Sequence, residues 1–286
     1  MNLPTQVLQI VATPLGNLAD VSQRSRDALE SARVIACEDT RRTASLLSLL
    51  GIDRPQLMVV NDHTEREAVA RVVALLEAGE RVVLVSDAGT PAISDPGWLV
   101  VKGVLDAGLE VDVLPGPTAL ITALVASGLP TARFCFEGFL PRKGAERAVR
   151  LRGLGSEKRT MVLYEAPHRL IKTLDDLLAV CGPDRPVAVC RELTKKFQEV
   201  HRSTLALALE WAQSPRKGEM VIVLGGAPDI EATQLEMQSA VEAGMIRGLS
   251  RRDAVLEVAE MFGKGRREVY ELSLQLEPEP DNAIDV

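Results

Sequence analysis

Short apolar runs alternate with amphipathic stretches throughout the first 225 residues of the chain. Within residues 64–78, Ala68, Val72, Leu75 and Leu76 recur at helical spacing and share one face. Strands that alternate with helices in this way predict a mostly parallel sheet with helices on its faces. The predicted strands of this first series are residues 7–13, 34–38, 57–61, 82–86 and 111–114.

A second series of the same kind follows a break near residues 126–131, where Gly128 and Pro130 interrupt the pattern. The two series predict an α/β fold made of two α/β domains. The predicted strands of the second series are residues 134–140, 160–165, 187–191 and 220–224, and its predicted helices lie near 144–154, 168–180 and 203–212.

The remaining residues predict a linker and a small C-terminal helical module. The acidic segment 227–231 contains Pro228 and is predicted to be the linker. Residues 233–247 and 249–276 have helical patterns, and Ser250 is a predicted N-cap. The predicted domains are residues 1–126, 127–228 and 232–276, followed by a loose acidic tail at 277–286.

The composition argues against a membrane protein and against a zinc protein. No apolar run approaches the roughly 20 residues that cross a bilayer. The first residues lack the basic and apolar regions of a secretory signal, so a cytoplasmic location is expected. The four cysteines stand at wide, irregular spacings and there are only three histidines. Buried free thiols and no metal site are therefore expected.

The net charge of −7 argues at first against a nucleic-acid partner, because phosphate contacts supply most nucleic-acid affinity. The charge is unevenly distributed, however. Residues 133–169 hold nine basic and four acidic side chains, and residues 247–268 hold six basic and four acidic ones. Such local basic patches are compatible with RNA binding but do not establish it.

Three predicted strands of the first series end in loops of small residues, at 13–17, 87–91 and 115–118. Ligands of open α/β sheets bind at the carboxyl ends of the strands. Glycine lets a ligand approach the backbone closely, and proline makes a loop rigid. Each loop alone could be an ordinary turn, but three in one series predict a small-molecule pocket. None has the glycine pattern of a dinucleotide or nucleotide-phosphate loop.

These loops belong to eight segments that stand in order over nearly the whole chain. The segments are VATPLGNL (11–18), CEDTR (37–41), LVSDAGTPAISDPG (84–97), LPGPTA (114–119), FEGFLP (136–141), YEAPHR (164–169), RELTKK (191–196) and KGEM (217–220). They resemble the motifs of the tetrapyrrole methylase superfamily (class III methyltransferases). The match is closer to the branch that methylates the 2′-hydroxyl of a cytidine in 16S ribosomal RNA. Ala12 and Asn61 stand where that branch is expected to carry proline and histidine.

The resemblance implies that S-adenosylmethionine binds in a cleft between the two domains, without a metal. It also implies a homodimer that acts on cytidine 1402 of 16S rRNA in the 30S subunit. The residues implied to bind the donor are Pro14, Asp87, Ala88, Gly89, Ile93, Thr118 and Ala119 from the first domain, and Tyr164, Ala166, Leu193 and Met220 from the second. For Ile93, Leu193 and Met220, plain core packing is an alternative of equal weight.

A ribose hydroxyl is a weak nucleophile, so a general base within hydrogen-bond reach is expected. The predicted catalytic residues are Glu165 and Lys143, chosen over Glu38, Asp39 and His63. Glu38 and Asp39 could instead pair with the arginines at 41 and 42. The predicted RNA contacts are Arg41, Arg142, Arg169 and Lys195.

Two other functions stay open at this point. A tetrapyrrole methyltransferase would share the fold, but the basic segments and the helical extension argue against it. A non-catalytic RNA-binding assembly factor would keep a relic pocket, and the intact loops argue against it. In the C-terminal module, Arg251, Arg252 and the segment 264–267 could grip RNA or could form the solvated face of a packing or dimer helix.

Overall fold

The computed structural model of the protein describes residues 6–214, 216–228 and 233–275. Contacts divide the chain into two compact units, one ending at Ala227 and one beginning at Pro228. The first unit holds two five-stranded sheets, and three helices are described in the second. Most of the predicted linker (229–231) and the whole predicted tail (277–286) lie outside the described residues.

The first sheet is parallel throughout, as the strand–helix alternation predicted. Its strands are β1 (Val7–Val11), β2 (Val34–Cys37), β3 (Gln56–Val59), β4 (Val82–Val85) and β5 (Glu110–Leu114), in the order β3-β2-β4-β1-β5. The helices between them are α1 (Gln23–Ser31), α2 (Thr40–Leu50), α3 (Glu65–Glu77) and α4 (Trp98–Asp106). The pairs α1–α2 and α3–α4 bury their apolar residues against opposite faces of the sheet.

The second sheet is mixed. Its strands are β6 (Phe134–Phe139), β7 (Thr160–Glu165), β8 (Pro186–Arg191), β9 (Glu199–Thr204) and β10 (Met220–Leu224), in the order β6-β7-β10-β8-β9. Only β6 and β7 are parallel, and the other pairs are antiparallel. The helices of this half are α5 (Ala119–Ser127), α6 (Ala145–Ser156), α7 (Leu170–Cys181) and α8 (Leu205–Ala212).

Helix α5 precedes the predicted boundary at residue 126 but packs on the second sheet. Leu120, Ala123 and Leu124 share a core with residues of β7, β8 and β10. Helices α6, α7 and α8 cover the opposite face of that sheet. The cores of this half therefore begin at the start of α5, immediately after the third small-residue loop.

The second unit contains α9 (Gln234–Ile246), α10 (Arg251–Phe262) and α11 (Arg266–Ser273). Ser250 caps α10 as predicted, since its hydroxyl accepts a hydrogen bond from the Asp253 amide at 3.2 Å. The three helices enclose a small core that includes Met237, Val258 and Val269.

None of the described helices is long and apolar enough to span a membrane. All four cysteines are free thiols. Cys37 and Cys190 are buried, and burial raises the pKa of the Cys190 thiol to about 11. These two side chains therefore act as small apolar core residues.

Candidate active site

A cavity of about 390 Å³ lies between the loops of the first sheet and the strands of the second. Its volume falls within the range of about 300–1,000 Å³ that holds small-molecule ligands. The lining residues from the first half are Leu15, Glu38, Arg42, Asp87, Ala88, Gly89, Thr90, Ile93, Ser94 and Asp95, and Thr118 and Ala119 line it from the start of α5. Those from the second half are Phe139, Tyr164, Glu165, Ala166, Pro167, Glu219, Met220 and Val221.

The three small-residue loops lie together, as predicted, and hydrogen bonds join them. Thr13 and Gly89 exchange two backbone hydrogen bonds, each of 2.9 Å. The Thr13 hydroxyl also donates to the Ser86 carbonyl at 3.1 Å. The Thr90 hydroxyl donates to the Pro117 carbonyl at 3.1 Å. The second loop is thus bonded to both of the others, which makes this side of the cavity one connected layer.

The loop after β4 has an unusual backbone that presents Asp95 to the cavity. Ala92 and Ser94 both have positive φ, at 66° and 64°. Such conformations are strained for residues other than glycine and tend to occur at functional sites. The buried Glu65 carboxylate fixes the far end of the loop, accepting hydrogen bonds from the amides of Gly97 at 2.8 Å and Leu99 at 2.7 Å.

The cavity is acidic, and its carboxylates raise one another's pKa. Burial and the neighbouring Glu38 raise the pKa of Asp95 to about 6. Burial and the nearby Asp87 likewise raise the pKa of Glu38. Like charges that share a partly desolvated site disfavour ionisation unless a cation is bound. The cavity therefore favours a positively charged ligand.

Asp87 and Asp39 have partners of their own. The Asp87 carboxylate accepts a hydrogen bond from the Asp39 amide at 3.1 Å and pairs with Arg42 at 3.4 Å. Asp39 forms a two-pronged ion pair with Arg41, which holds the pKa of the Asp39 carboxyl well below its usual range. The sequence alternative in which this segment pairs internally is borne out for Asp39 and Arg41. Glu38 makes no hydrogen bond or ion pair within the described part of the chain.

Aromatic side chains form the opposite wall. The Tyr164 ring meets Phe136 and Phe139 edge to face, at centroid distances of 4.9 and 5.7 Å. The Leu120 amide in the first turn of α5 donates a hydrogen bond to the Tyr164 hydroxyl at 3.2 Å. Burial raises the pKa of that hydroxyl. Tyr164 therefore joins the second sheet to the helix that begins at the third loop.

The two predicted catalytic residues are in different surroundings. Glu165 lines the cavity, but its side chain is fully buried and engaged. It accepts hydrogen bonds from the Thr173 hydroxyl at 2.5 Å and the Ala166 amide at 2.8 Å, and it pairs with Arg169 at 3.2 Å. Lys143 is exposed and lies outside the cavity lining.

Nine of the eleven predicted donor-binding residues line the cavity; Pro14 and Leu193 do not. Leu193 is buried in the core beneath α5, which matches its alternative interpretation as a packing residue. Of the predicted RNA contacts, Arg169 donates to the Leu140 carbonyl at 2.7 Å, and Lys195 pairs with Glu192 and Glu219. Arg142 is exposed and has no hydrogen-bond or ion-pair partner among the described residues.

Asp95, Arg42 and Glu219 line the cavity although they were not predicted as site residues, and Glu38, a candidate base that was passed over for Glu165 and Lys143, lines it too. Asp95 lies four residues beyond Pro91, where the second predicted loop ended. Extending that loop to the start of the next helix would have included it.

Asn61, which stands where histidine was expected, has a structural role. Its side-chain oxygen accepts hydrogen bonds from the His63 and Thr64 amides before α3.

A family model described as tetrapyrrole (corrin/porphyrin) methylases matches residues 7–208. The match spans most of the chain, from β1 to the first half of α8, and leaves out β10 of the second sheet. The chain belongs to the tetrapyrrole methylase family. The eight segments and the donor loops of this methylase fall within or just beyond the matched range.

Full-length relatives narrow the family further. Ribosomal RNA small subunit methyltransferase I of Mycobacterium tuberculosis (strain ATCC 25618 / H37Rv) is 47% identical over 273 residues, covering 94% of each chain. The protein of the same name from Synechocystis sp. is 42% identical, covering 95% of this chain and 98% of that protein. That from Escherichia coli O157:H7 is 41% identical, covering 94% of both. The methylase belongs to the same group of the family and is a methyltransferase.

Solved structures share the fold. The methyltransferase CobJ superposes with a TM-score of 0.60 at 23% identity, covering 78% of this chain and 95% of that one. A uroporphyrin-III C-methyltransferase from Thermus thermophilus, complexed with S-adenyl homocysteine, superposes with a TM-score of 0.53 at 20% identity, covering 76% and 96%. The predicted α/β class with two α/β halves is thereby confirmed.

Proposed function

We propose that this methylase transfers a methyl group from S-adenosylmethionine to the 2′-hydroxyl of cytidine 1402 in 16S rRNA of the small ribosomal subunit. The observation that carries the proposal is the acidic cavity enclosed by the three loops and the second sheet. The relatives' name supports ribosomal RNA as substrate, and the resemblance of the eight segments supports the cytidine 2′-hydroxyl.

The cavity fits the proposed donor in charge and in size. S-adenosylmethionine carries a sulfonium and an ammonium group, and Glu38, Asp95 and Glu219 place carboxylates around the space. The proposed donor-binding residues are Asp87, Ala88, Gly89, Ile93, Asp95, Thr118, Ala119, Tyr164, Ala166 and Met220; Pro14 and Leu193, which were also expected to bind the donor, lie outside the lining. Gly89 has no side chain, so a ligand can approach its backbone closely, which suits a ligand held largely by main-chain groups.

When bound, S-adenosylmethionine supplies a methyl group that is already activated by the sulfonium charge. The residues have three tasks: to align the acceptor oxygen with the methyl carbon, to exclude water, and to take the hydroxyl proton. Phe139, Tyr164 and Met220 supply the apolar wall that excludes water. We assign proton acceptance to Glu38, because it is the lining glutamate with a raised pKa and without a described partner.

Glu165 is proposed as a positioning residue rather than as the base. Its carboxylate is shared by Thr173, Ala166 and Arg169, so its oxygens are already engaged within the protein. These contacts hold the turn after β7 in place, where Ala166 and Pro167 line the cavity. Lys143 and Arg142 are exposed on one loop and are proposed to contact rRNA phosphates.

The proposal includes a homodimer, the 30S subunit as the assembled substrate, and a cytoplasmic location. Of the nine basic side chains in residues 133–169, four pair with carboxylates, while Arg133, Arg142, Lys143 and Arg152 are exposed without a partner among the described residues and supply a local positive surface. That surface distinguishes the proposal from methylation of a tetrapyrrole, which needs no phosphate contacts.

The test is transfer of labelled methyl from S-adenosylmethionine to 30S subunits from a strain that lacks this methylase. We expect label at one ribose of 16S rRNA, detected as a linkage resistant to alkaline hydrolysis. Methylation of a uroporphyrinogen or corrinoid, with none of RNA, would support the tetrapyrrole alternative instead. RNA binding without donor affinity in calorimetry would support the non-catalytic assembly factor.

Gly89 offers a prediction with a matched control. Gly89 has φ +83°, and a β-carbon there would lie 3.3 Å from Leu15 and 3.8 Å from the Pro117 carbonyl. Gly79 has φ +81° and no neighbour within 4 Å of the same position. Gly89→Ala and Gly79→Ala are each expected to lower the free energy of unfolding by about 1–2 kcal/mol.

Only Gly89→Ala is expected to weaken donor binding, by about tenfold, because it lies in the cavity lining. Calorimetry with S-adenosylmethionine and thermal unfolding of both variants measure the two effects. Equal donor affinities in the two variants would remove Gly89 from the proposed site.

A further inference from the structure

The helical unit carries a second cavity, of about 740 Å³, within residues 250–270. Its walls come from the first half of α10 and the first two turns of α11. The lining residues are Ser250, Arg252, Asp253, Val255, Leu256, Arg266, Arg267 and Tyr270. Three arginines thus face one aspartate around this space.

Two of these arginines have no partner among the described residues. Arg252 and Arg266 are exposed and make no hydrogen bond or ion pair within the described residues. Arg267 pairs with Glu271 at 3.1 Å, and Asp253 accepts a hydrogen bond from the Ser250 hydroxyl at 2.6 Å. Asp253 is the one carboxylate of the lining and forms no ion pair with Arg252 or Arg266, so the lining keeps more positive than negative charge.

The positive charge is local to this cavity. Residues 233–275 hold six basic and seven acidic side chains, so the described part of the unit has no net positive charge. Positive charge concentrated on one surface of an otherwise neutral unit indicates a specific anionic partner rather than non-specific electrostatic binding.

The helices hold the arginines at a fixed spacing. Val255 and Val258 of α10 and Val269 and Leu272 of α11 share the core of the unit. Arg252 therefore projects from one packed helix and Arg266 from another. A guanidinium fork matches the oxygens of a phosphate, and two forks on a rigid support suit successive phosphates of a nucleic-acid strand.

Tyr270 adds an apolar surface beside the charges. Its side chain is 46% exposed, and it lies one helical turn after Arg266 on α11. Proteins that bind single-stranded nucleic acids combine exposed aromatic rings with arginines. The bases stack on the aromatic faces and the phosphates contact the guanidinium groups.

We propose that Arg252, Arg266 and Tyr270 form an RNA-binding site on the helical unit. The site takes two backbone phosphates and one unstacked base of a single-stranded rRNA segment. This inference rests on the proposed function, and it adds a place where the substrate is held by residues outside the donor cavity.

The experiment measures the salt dependence of binding of the full-length protein to two probes, a single-stranded oligouridylate and 30S subunits lacking the modification. For Arg252→Ala/Arg266→Ala we expect the slope of log affinity against log salt to fall by about 1.4, since each phosphate contact on a single strand contributes about 0.7. Tyr270→Ala is expected to weaken oligouridylate binding about tenfold with the slope unchanged. Donor affinity is expected to stay at the wild-type value in both variants.

Arg247→Ala is the matched control, because Arg247 is exposed on the same unit but pairs with Glu257. An unchanged slope in the double variant, or an equal change in the control, would overturn the site. Circular dichroism of the variants shows whether the unit stays folded, and Arg252→Gln/Arg266→Gln repeats the measurement if it does not. If the wild type binds both probes and the double variant shows the expected fall in slope, but the wild type methylates no RNA, the proposed function fails while the binding site stands.

Discussion

Asp95→Asn is expected to weaken binding of S-adenosylmethionine by about 10- to 100-fold. A hydrogen bond or contact that involves a charged group contributes about 1.5–3 kcal/mol, and the asparagine keeps the shape of the side chain without its charge. Asp95 lines the cavity on a loop that contains two residues with positive φ and that Glu65 fixes at its far end. Calorimetry at pH 8 measures the loss directly.

The pH dependence of binding gives a second readout of the same substitution. Because the pKa of Asp95 is about 6 in the free protein, its carboxyl is mostly protonated at pH 5 and charged at pH 8. A cationic ligand favours the charged form, so wild-type affinity is expected to rise as the pH increases through about 6. The variant is expected to lack this rise.

Stability is expected to change in the opposite direction. The ordinary pKa of the group is 3.8 and its folded-state pKa is about 6, so the unfolded chain binds fewer protons between these values. Stability of the donor-free protein therefore falls as the pH rises from about 4 through 6. Asp95→Asn removes this fall and is expected to be the more stable protein at pH 8 without donor.

Asp106→Asn, at a surface carboxylate paired with Lys102, is the control. Wild-type donor affinity in Asp95→Asn at pH 8 would contradict the assignment.

Glu38→Gln is expected to lower kcat for methylation of 30S subunits by at least about 100-fold, which is the lower end of the effect of general bases. Donor affinity is expected to change much less than in Asp95→Asn. Since the base must be ionised and its pKa is raised, the acidic limb of the wild-type rate profile is expected above the ordinary range of a glutamate. The variant's residual rate is expected to have no such limb.

Glu30→Gln, an exposed glutamate on α1, is the control for this substitution. Glu165→Gln separates the two candidate bases. If Glu165→Gln stopped turnover at saturating donor with the fold intact, while Glu38→Gln turned over normally, Glu165 would be the base as the sequence first predicted. If Lys143→Ala alone did so, the proton acceptor would lie on the exposed loop.

Much of the first half could be predicted because parallel strands impose a simple rule. Their carboxyl ends meet at one edge, so loops separated by tens of residues, such as 13–17 and 115–118, had to be neighbours. The glycine and proline content then indicated a pocket. The loops were found in that arrangement, with Thr13 bonded to Gly89 and Thr90 to Pro117.

The second half was less predictable for a physical reason. The edge strand β9 contains charged and polar residues at most positions, because it is only partly buried, and so it lacks the apolar run that marked the other strands. Strand direction depends on long-range pairing, and the antiparallel partners of β10 left no local signal. Side-chain partners were equally hidden. Glu165 looked like a free acid until Thr173 and Arg169 were found against it.

Helix α5 has a consequence for how the cavity could open. The chain passes from the first sheet to the second once among the described residues, through the tripeptide 115–117 between β5 and α5. Because α5 is anchored in the second core and tied to Tyr164, Thr118 and Ala119 travel with the second sheet. Any rotation of the two halves must pivot about Pro115, Gly116 and Pro117. The torsional stiffness of residues 115–117 would then govern ligand release. A side chain at position 116 is poorly tolerated, because its β-carbon would lie 2.8 Å from Ala12.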